Sequence, residues 1–178
     1  IGGRGYQFIN PYVLDPNNNN IMYLIAGRFL WRNNDLSGIP YKNNWDSIST
    51  NWVRFPDSVS SAGRFTAVAV SKKPANRVYL GNDNRKLLRI DSANVGTPVM
   101  KNITSSLFPG GATVSCIAVD PENADHVVVT FSNYNVNSIF YTNDGGVTWK
   151  KAGGNLEQNN ATGTGNGPSV RWASIIPL

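Results

Sequence analysis

Tyr141–Lys150, YTNDGGVTWK, is the stretch whose reading decides the fold. It is a turn cassette between two strand-like runs. On its N-terminal side Ile139 and Tyr141 share one phase and Phe140 takes the other. Asp144, Gly145 and Gly146 supply the turn, because a hairpin turn with positive φ angles favours Asp or Asn followed by Gly. The Asp144 carboxylate is placed to accept hydrogen bonds from N–H groups just beyond it, as in an Asx-turn. The Thr142 and Thr148 hydroxyls are close enough in sequence to complete that network. Val147, Thr148 and Trp149 read as a return to extended structure, and Trp149 brings a large apolar face to bury.

Outward from the cassette, the chain repeats one plan. VLDPNNNNIMYLI (13–25), VAVSKKPANRVYLG (68–81) and IAVDPENADHVVVT (117–130) each show an apolar strand, a turn with Pro, and a second apolar strand. Pro16, Pro74 and Pro121 mark the phase and recur at intervals of roughly fifty residues, a period that suits units of four short strands with variable loops. In the first unit, Tyr6–Leu14, Ile21–Ala26 and Arg28–Arg32 read as strands, a turn occupies Asp15–Asn20, and the fourth strand falls within Tyr41–Phe55. The second unit places strands at Arg64–Ser71, Arg77–Leu80, Lys86–Asp91 and Val99–Ile103. The third places them at Ala112–Asp120, His126–Phe131, Ser138–Thr142 and Trp149–Ala152. Val170–Ile176 read as the first strand of a fourth unit.

Thr142, Asp144, Gly146, Thr148 and Trp149 fill every defining position of the pattern Ser/Thr-x-Asp-x-Gly-x-Thr-Trp. The cassette therefore resembles the Asp-box, or BNR repeat. That family includes sialidases, xyloglucan-active glycoside hydrolases and sortilin-like sorting receptors. The resemblance implies an all-β chain of four-stranded antiparallel β-propeller blades, in which the box joins the third and fourth strands away from the catalytic face. It also implies a secreted or cell-surface bacterial protein. The Asp-Pro turn between first and second strands is similar to that of the same propellers, although the second unit has Lys73–Pro74 in its place. Arg32–Asp35 and Arg89–Ser92 follow the other two third strands without the Gly-x-Thr-Trp ending. The expected blades span 6–62, 63–110 and 111–165, with a fourth beginning at 166–178. About three and a half blades do not close a ring, which needs at least four. The expectation is thus a part of a larger propeller, or self-association of two copies.

Composition agrees with a folded domain. Of 178 residues 40% are apolar and 11% aromatic, whereas 15% are charged. The formal charge of +5 raises nucleic-acid binding as a class. The basic residues Arg28, Arg32, Arg54, Arg64, Arg77, Arg85, Lys86 and Arg89 are scattered, with no basic run or helical face, so nucleic acid is not the expected partner. No apolar run is long enough to insert in a membrane as a helix. Cys116 stands alone in VSCIAV and reads as a buried thiol.

Chemistry is sparse. His126, the one histidine, neighbours Asp125, but no serine elbow accompanies it. Glycoside hydrolysis needs two carboxylates across a cleft, and Asp46, Asp57, Asp83, Asp91, Glu122 and Glu157 are candidates by type alone. Arg4, Arg28, Arg64 and Arg171 are the guanidinium groups available for a sialidase-like triad. Asp15, Asn17 and Asn19 offer oxygens but lack the glycine and distal Glu of an EF-hand loop, so no metal is expected. No Gly-rich phosphate loop opens a helix, so no cofactor is expected either. Trp31, Tyr41, Trp45, Trp52, Tyr134 and Trp172 are candidate aromatic contacts. The polar excursion Tyr41, Asn43, Asn44 and Trp45 is the candidate ligand-binding loop, since flat rings stack on sugars and Asn amides bond hydroxyls. The expected role is non-catalytic recognition of carbohydrate or protein. The alternative is a glycoside hydrolase fragment whose carboxylate pair is partly supplied by other blades.

Overall fold

The computed structural model describes residues 6–42, 48–56, 63–157 and 166–177. Twelve strands in these residues form three four-stranded antiparallel sheets, each a simple meander in sequence order. The first sheet holds β1 (Tyr12–Asp15), β2 (Asn18–Ala26), β3 (Phe29–Asn33) and β4 (Trp52–Arg54). The second holds β5 (Phe65–Val70), β6 (Val78–Asn82), β7 (Leu87–Ile90) and β8 (Lys101–Asn102). The third holds β9 (Val114–Val119), β10 (Val127–Phe131), β11 (Ile139–Thr142) and β12 (Lys150–Lys151), and a 3-10 turn at Gly154–Glu157 follows it.

Residues directly opposed across an antiparallel pair point to the same side of the sheet. In the second sheet, Val68 opposes Leu80, which opposes Leu88. These side chains make a leading face, turned to the first sheet. Ala69, Tyr79 and Arg89 are aligned in the same way on the trailing face, turned to the third. Val13, Tyr23 and Arg32 form the trailing face of the first sheet. Ile117, Val129 and Phe140 form the leading face of the third.

Two apolar cores result, one at each junction. The first joins Tyr23, Ile25 and Leu30 to Phe65, Leu80 and Leu88. The second joins Tyr79 and Leu87 to Ile117, Val129, Phe140 and Trp149. Alternation explains the fold: each strand sends every second side chain to one junction, and both faces of the middle sheet are apolar.

One backbone bond recurs in all three units. Leu36 N–H donates to Asn20 C=O at 3.0 Å, Ala93 N–H to Asn76 C=O at 2.8 Å, and Gly145 N–H to Asp125 C=O at 3.0 Å. Each ties the turn after a third strand to the start of the second strand beside it. The three sheets are repeats in hydrogen bonding as well as in strand order.

Some boundaries differ from expectation. Asn18–Asn20 belong to β2, so the Asp15–Asn20 turn is tighter than its composition suggests. Local caps permit this: Asn17 N–H donates to Asp15 Oδ1 at 2.8 Å and Asn20 N–H to Asn18 Oδ1 at 3.1 Å. The outermost strands are only two or three residues long. Val147–Trp149 do not resume a strand, because Asp144 holds the Thr148 N–H inside the turn; pairing restarts at Lys150. Residues 166–177 have no assigned strand among the described residues. They still alternate, with Trp172, Ser174 and Ile176 exposed and Ala173 and Ile175 half-buried. Ser115 Oγ donates to Val170 C=O at 2.7 Å, and the Cys116 thiol to Ala173 C=O at 3.5 Å.

Candidate functional site

The turn between β11 and β12 is bonded to itself through Thr142, Asp144 and Thr148. Thr142, buried at the end of β11, donates its hydroxyl to Asp144 Oδ1 at 2.7 Å and accepts from Gly146 N–H at 3.0 Å. Asp144 Oδ1 also takes the Thr148 N–H at 2.9 Å, and Oδ2 takes the Thr148 hydroxyl. The Thr148 hydroxyl, then the Thr148 N–H and the Thr142 hydroxyl, hold the Asp144 carboxyl down at about 2. Each of these donors favours the charged form.

The same turn is pinned to the second sheet. Gly145 and Gly146 have φ of 69° and 92°, a backbone region open to glycine. A Cβ on Gly145 would meet Arg89 Nη1 at 2.4 Å, and one on Gly146 would meet Ile103 Cδ1 at 2.7 Å. Arg89 Nη1 uses this closeness to donate to Gly145 C=O at 2.8 Å. Trp149 is buried, packs edge-on against Phe108 with ring centroids 5.1 Å apart, and donates Nε1–H to Ile103 C=O at 3.0 Å. Asp91 links the cations here: Arg77 Nε lies 2.8 Å from Oδ1, while Lys101 Nζ and Arg89 Nη2 lie 2.7 and 3.1 Å from Oδ2. Arg77 also pairs with Asp125 at the base of the turn. Partial burial opposes ionisation of Asp91, but Lys101, Arg89 and Arg77 outweigh it and hold the carboxyl below its ordinary value.

An open groove of about 590 Å³ lies along this junction. Lys101–Leu107 form one wall, Gly145–Trp149 the other, and Arg89 contributes to the lining. Asn102, Ser105, Ser106 and Thr148 bring amide and hydroxyl groups to it. Ile103, Leu107, Val147 and Trp149 bring apolar surface. Sequence reading offered Asp91 only as a carboxylate by type, and did not single out Arg89 or the Lys101–Leu107 wall. Their signal was faint: Arg32 and Arg89 hold the same place in successive third strands, and both reach carbonyls of the next turn. Arg32 Nη1 donates to Ala93 C=O at 2.6 Å and to Gly96 C=O at 2.8 Å.

The other candidates are dispersed. Tyr41 is 89% exposed and does not line the groove. Asn43, Asn44, Trp45, Asp46, Asp57 and Arg4 lie outside the described residues. The remaining carboxylates are engaged. Asp83 accepts from Arg64 N–H at 3.0 Å, Glu122 pairs with Lys73, and buried Glu157 accepts from the N–H groups of Ser138 and Ile139. His126 Nδ1 lies 3.4 Å from Asp120 Oδ2 rather than being oriented by Asp125. Asp15 caps its own turn through Asn17. Among the described residues, no group of three or more His, Cys, Asp or Glu is placed to hold a metal, and no helix is long and apolar enough to cross a membrane. No protein-family model matches the sequence, and no curated protein does.

Proposed function

We propose that this chain is a segment of an exported Asp-box β-propeller that binds a saccharide without transforming it. The observation that carries the reading is the groove between Lys101–Leu107 and Gly145–Trp149. Its hydroxyl and amide groups match sugar hydroxyls, and its apolar residues match the C–H faces of a pyranose ring. Its volume falls in the range of small-ligand clefts. The propeller part of the proposal draws support from the three meander sheets, the bond shared by their turns, and the Thr142–Asp144–Thr148 network.

The hydrolase alternative draws less support. Asp83, Asp91, Glu122 and Glu157 each serve a structural hydrogen bond or ion pair.

The test is titration with neutral and acidic oligosaccharides, followed by tryptophan emission and by calorimetry. Saturable changes in both are expected, and Ser106→Trp, which fills the groove from an exposed position, should abolish them. Binding lost in Tyr41→Ala but kept in Ser106→Trp would move the site to the Tyr41–Trp45 loop. Absence of both signals with every sugar would overturn the saccharide reading. Release of reducing ends would favour the hydrolase.

A further inference from the structure

The groove between the second and third sheets carries a charge that sheet packing does not require. Two cations, Arg89 and Lys101, line it, and none of its lining residues is Asp or Glu. Lys101 lies directly opposite Arg89 in register, an arrangement that like charges disfavour. Asp91 relieves it by bonding both, and it bonds Arg77 as well. With Asp125, which pairs with Arg77, three cations share two carboxylates, and one positive charge is left over.

The first junction shows that this cluster is optional. Arg32 and Arg89 match, each four residues before the N–H that makes the recurring turn bond. Val53 stands opposite Arg32 where Lys101 stands opposite Arg89. Asn34 stands two residues beyond Arg32, where Asp91 stands two beyond Arg89. The same scheme therefore packs with one cation, an apolar residue and an amide in the three places. The surplus charge is an addition at the second junction.

Exposure separates the duties of the two groove cations. The Arg89 side chain is 16% exposed and is engaged by Gly145 C=O and Asp91. The Lys101 side chain is 58% exposed, and Asp91 Oδ2 takes one of its three N–H groups at 2.7 Å. The ammonium thus borders the groove with donors to spare, next to the Asn102 amide.

We infer that the groove selects an anionic saccharide, whose carboxylate or sulfate group is held by Lys101. This rests on the saccharide reading above and narrows it. Lys101 is the specificity-determining residue. Arg89 is a positioning residue: it ties Asp91 to the turn at Gly145, and Asp91 keeps the ammonium at the rim.

The test is calorimetric titration of the whole chain with matched pairs. One pair is an oligogalacturonate and its full methyl ester; the other is a sulfated galactan oligomer and its desulfated form. The acidic member of at least one pair should bind about tenfold tighter than its neutral partner, as one charge-assisted contact provides. The advantage should shrink as salt rises. Lys101→Met should bring both members to the same affinity. Lys150→Met should leave the advantage intact, because Lys150 holds the place of Lys101 in the third sheet but does not line the groove. Both lysines are exposed, so both variants should melt as the wild type does. A preference for one anion alone supports the inference and names the group. Equal affinity for acidic and neutral members overturns it while the saccharide reading stands. A preference that survives Lys101→Met, or that Lys150→Met also removes, traces to charge spread over the molecule and overturns it too. Failure of all four sugars to bind overturns the saccharide reading and this inference with it.

Discussion

The junction between the first two sheets and the junction between the last two use the same backbone scheme with different side-chain chemistry. In the first, Arg32 is buried, stacks on Phe55 with its guanidinium carbon 5.6 Å from the ring centroid, and gives its protons to two carbonyls. Among the described residues no carboxylate is bonded to it, and burial lowers its affinity for a proton. In the second, Arg89 shares Asp91 with Arg77 and Lys101, and the turn it holds is braced internally by Asp144. The lesson is that the turn's position is fixed by the recurring backbone bond, while the means of locking it is free to vary. The Thr142–Asp144–Thr148 network is one such means: Asp35 accepts from Ser37 and Gly38 after the third strand of the first unit, and Asp91 accepts from Arg77, Arg89 and Lys101 after that of the second.

The largest expected break is at Trp149. Trp149→Ala removes a buried ring from the second core and should cost about 3–5 kcal/mol, measured by reversible chemical denaturation. Trp149→Phe keeps most of the apolar area but orphans Ile103 C=O, and should cost less. Next is Arg32→Met, which leaves the carbonyls of Ala93 and Gly96 without their charged donor and should cost about 1.5–3 kcal/mol. Arg89→Met should cost less than Arg32→Met, since Asp91 keeps Arg77 and Lys101. The reverse ranking would show that the ionic junction is the stronger one. Asp144→Asn is smaller again and sharpens the comparison through pH. The folded Asp144 carboxyl titrates at about 2, below an unfolded value of about 3.9. Its contribution is therefore complete above about pH 4 and disappears as pH falls towards 2. The stability gap between wild type and Asp144→Asn should close over that window. The smallest effect belongs to the exposed Lys73–Glu122 pair, where Glu122→Gln should leave the melting temperature unchanged within error.

Much of the sheet order was legible because alternation and turn chemistry are local. Val13, Tyr23 and Ile25 announce a buried phase by spacing alone, and Asp144-Gly145-Gly146 announces its turn by residue type. The short outer strands were less legible. Lys101–Asn102 and Lys150–Lys151 are polar and exposed, so no burial pattern marks them. The role of the Thr142–Trp149 turn in joining sheets was invisible for a different reason. Arg89, Ile103 and Gly145 come from separate units, and their convergence follows from how sheets pack rather than from neighbouring residues. The groove is hidden in sequence for the same reason. The Tyr41–Trp45 loop was chosen for its length and polarity, whereas the groove arises between segments that are each unremarkable.

Cys116 gives the chain a reporter of its own. The sole thiol is buried at 9% exposure beneath Ala173, and burial raises its pKa, so it is held protonated and shielded from reagents. Alkylation at neutral pH then requires residues 170–176 to lift away. The rate of thiol modification, followed by mass spectrometry, becomes a clock for peeling at that end of the molecule. Any molecule that clamps the segment should slow that clock without touching sulfur.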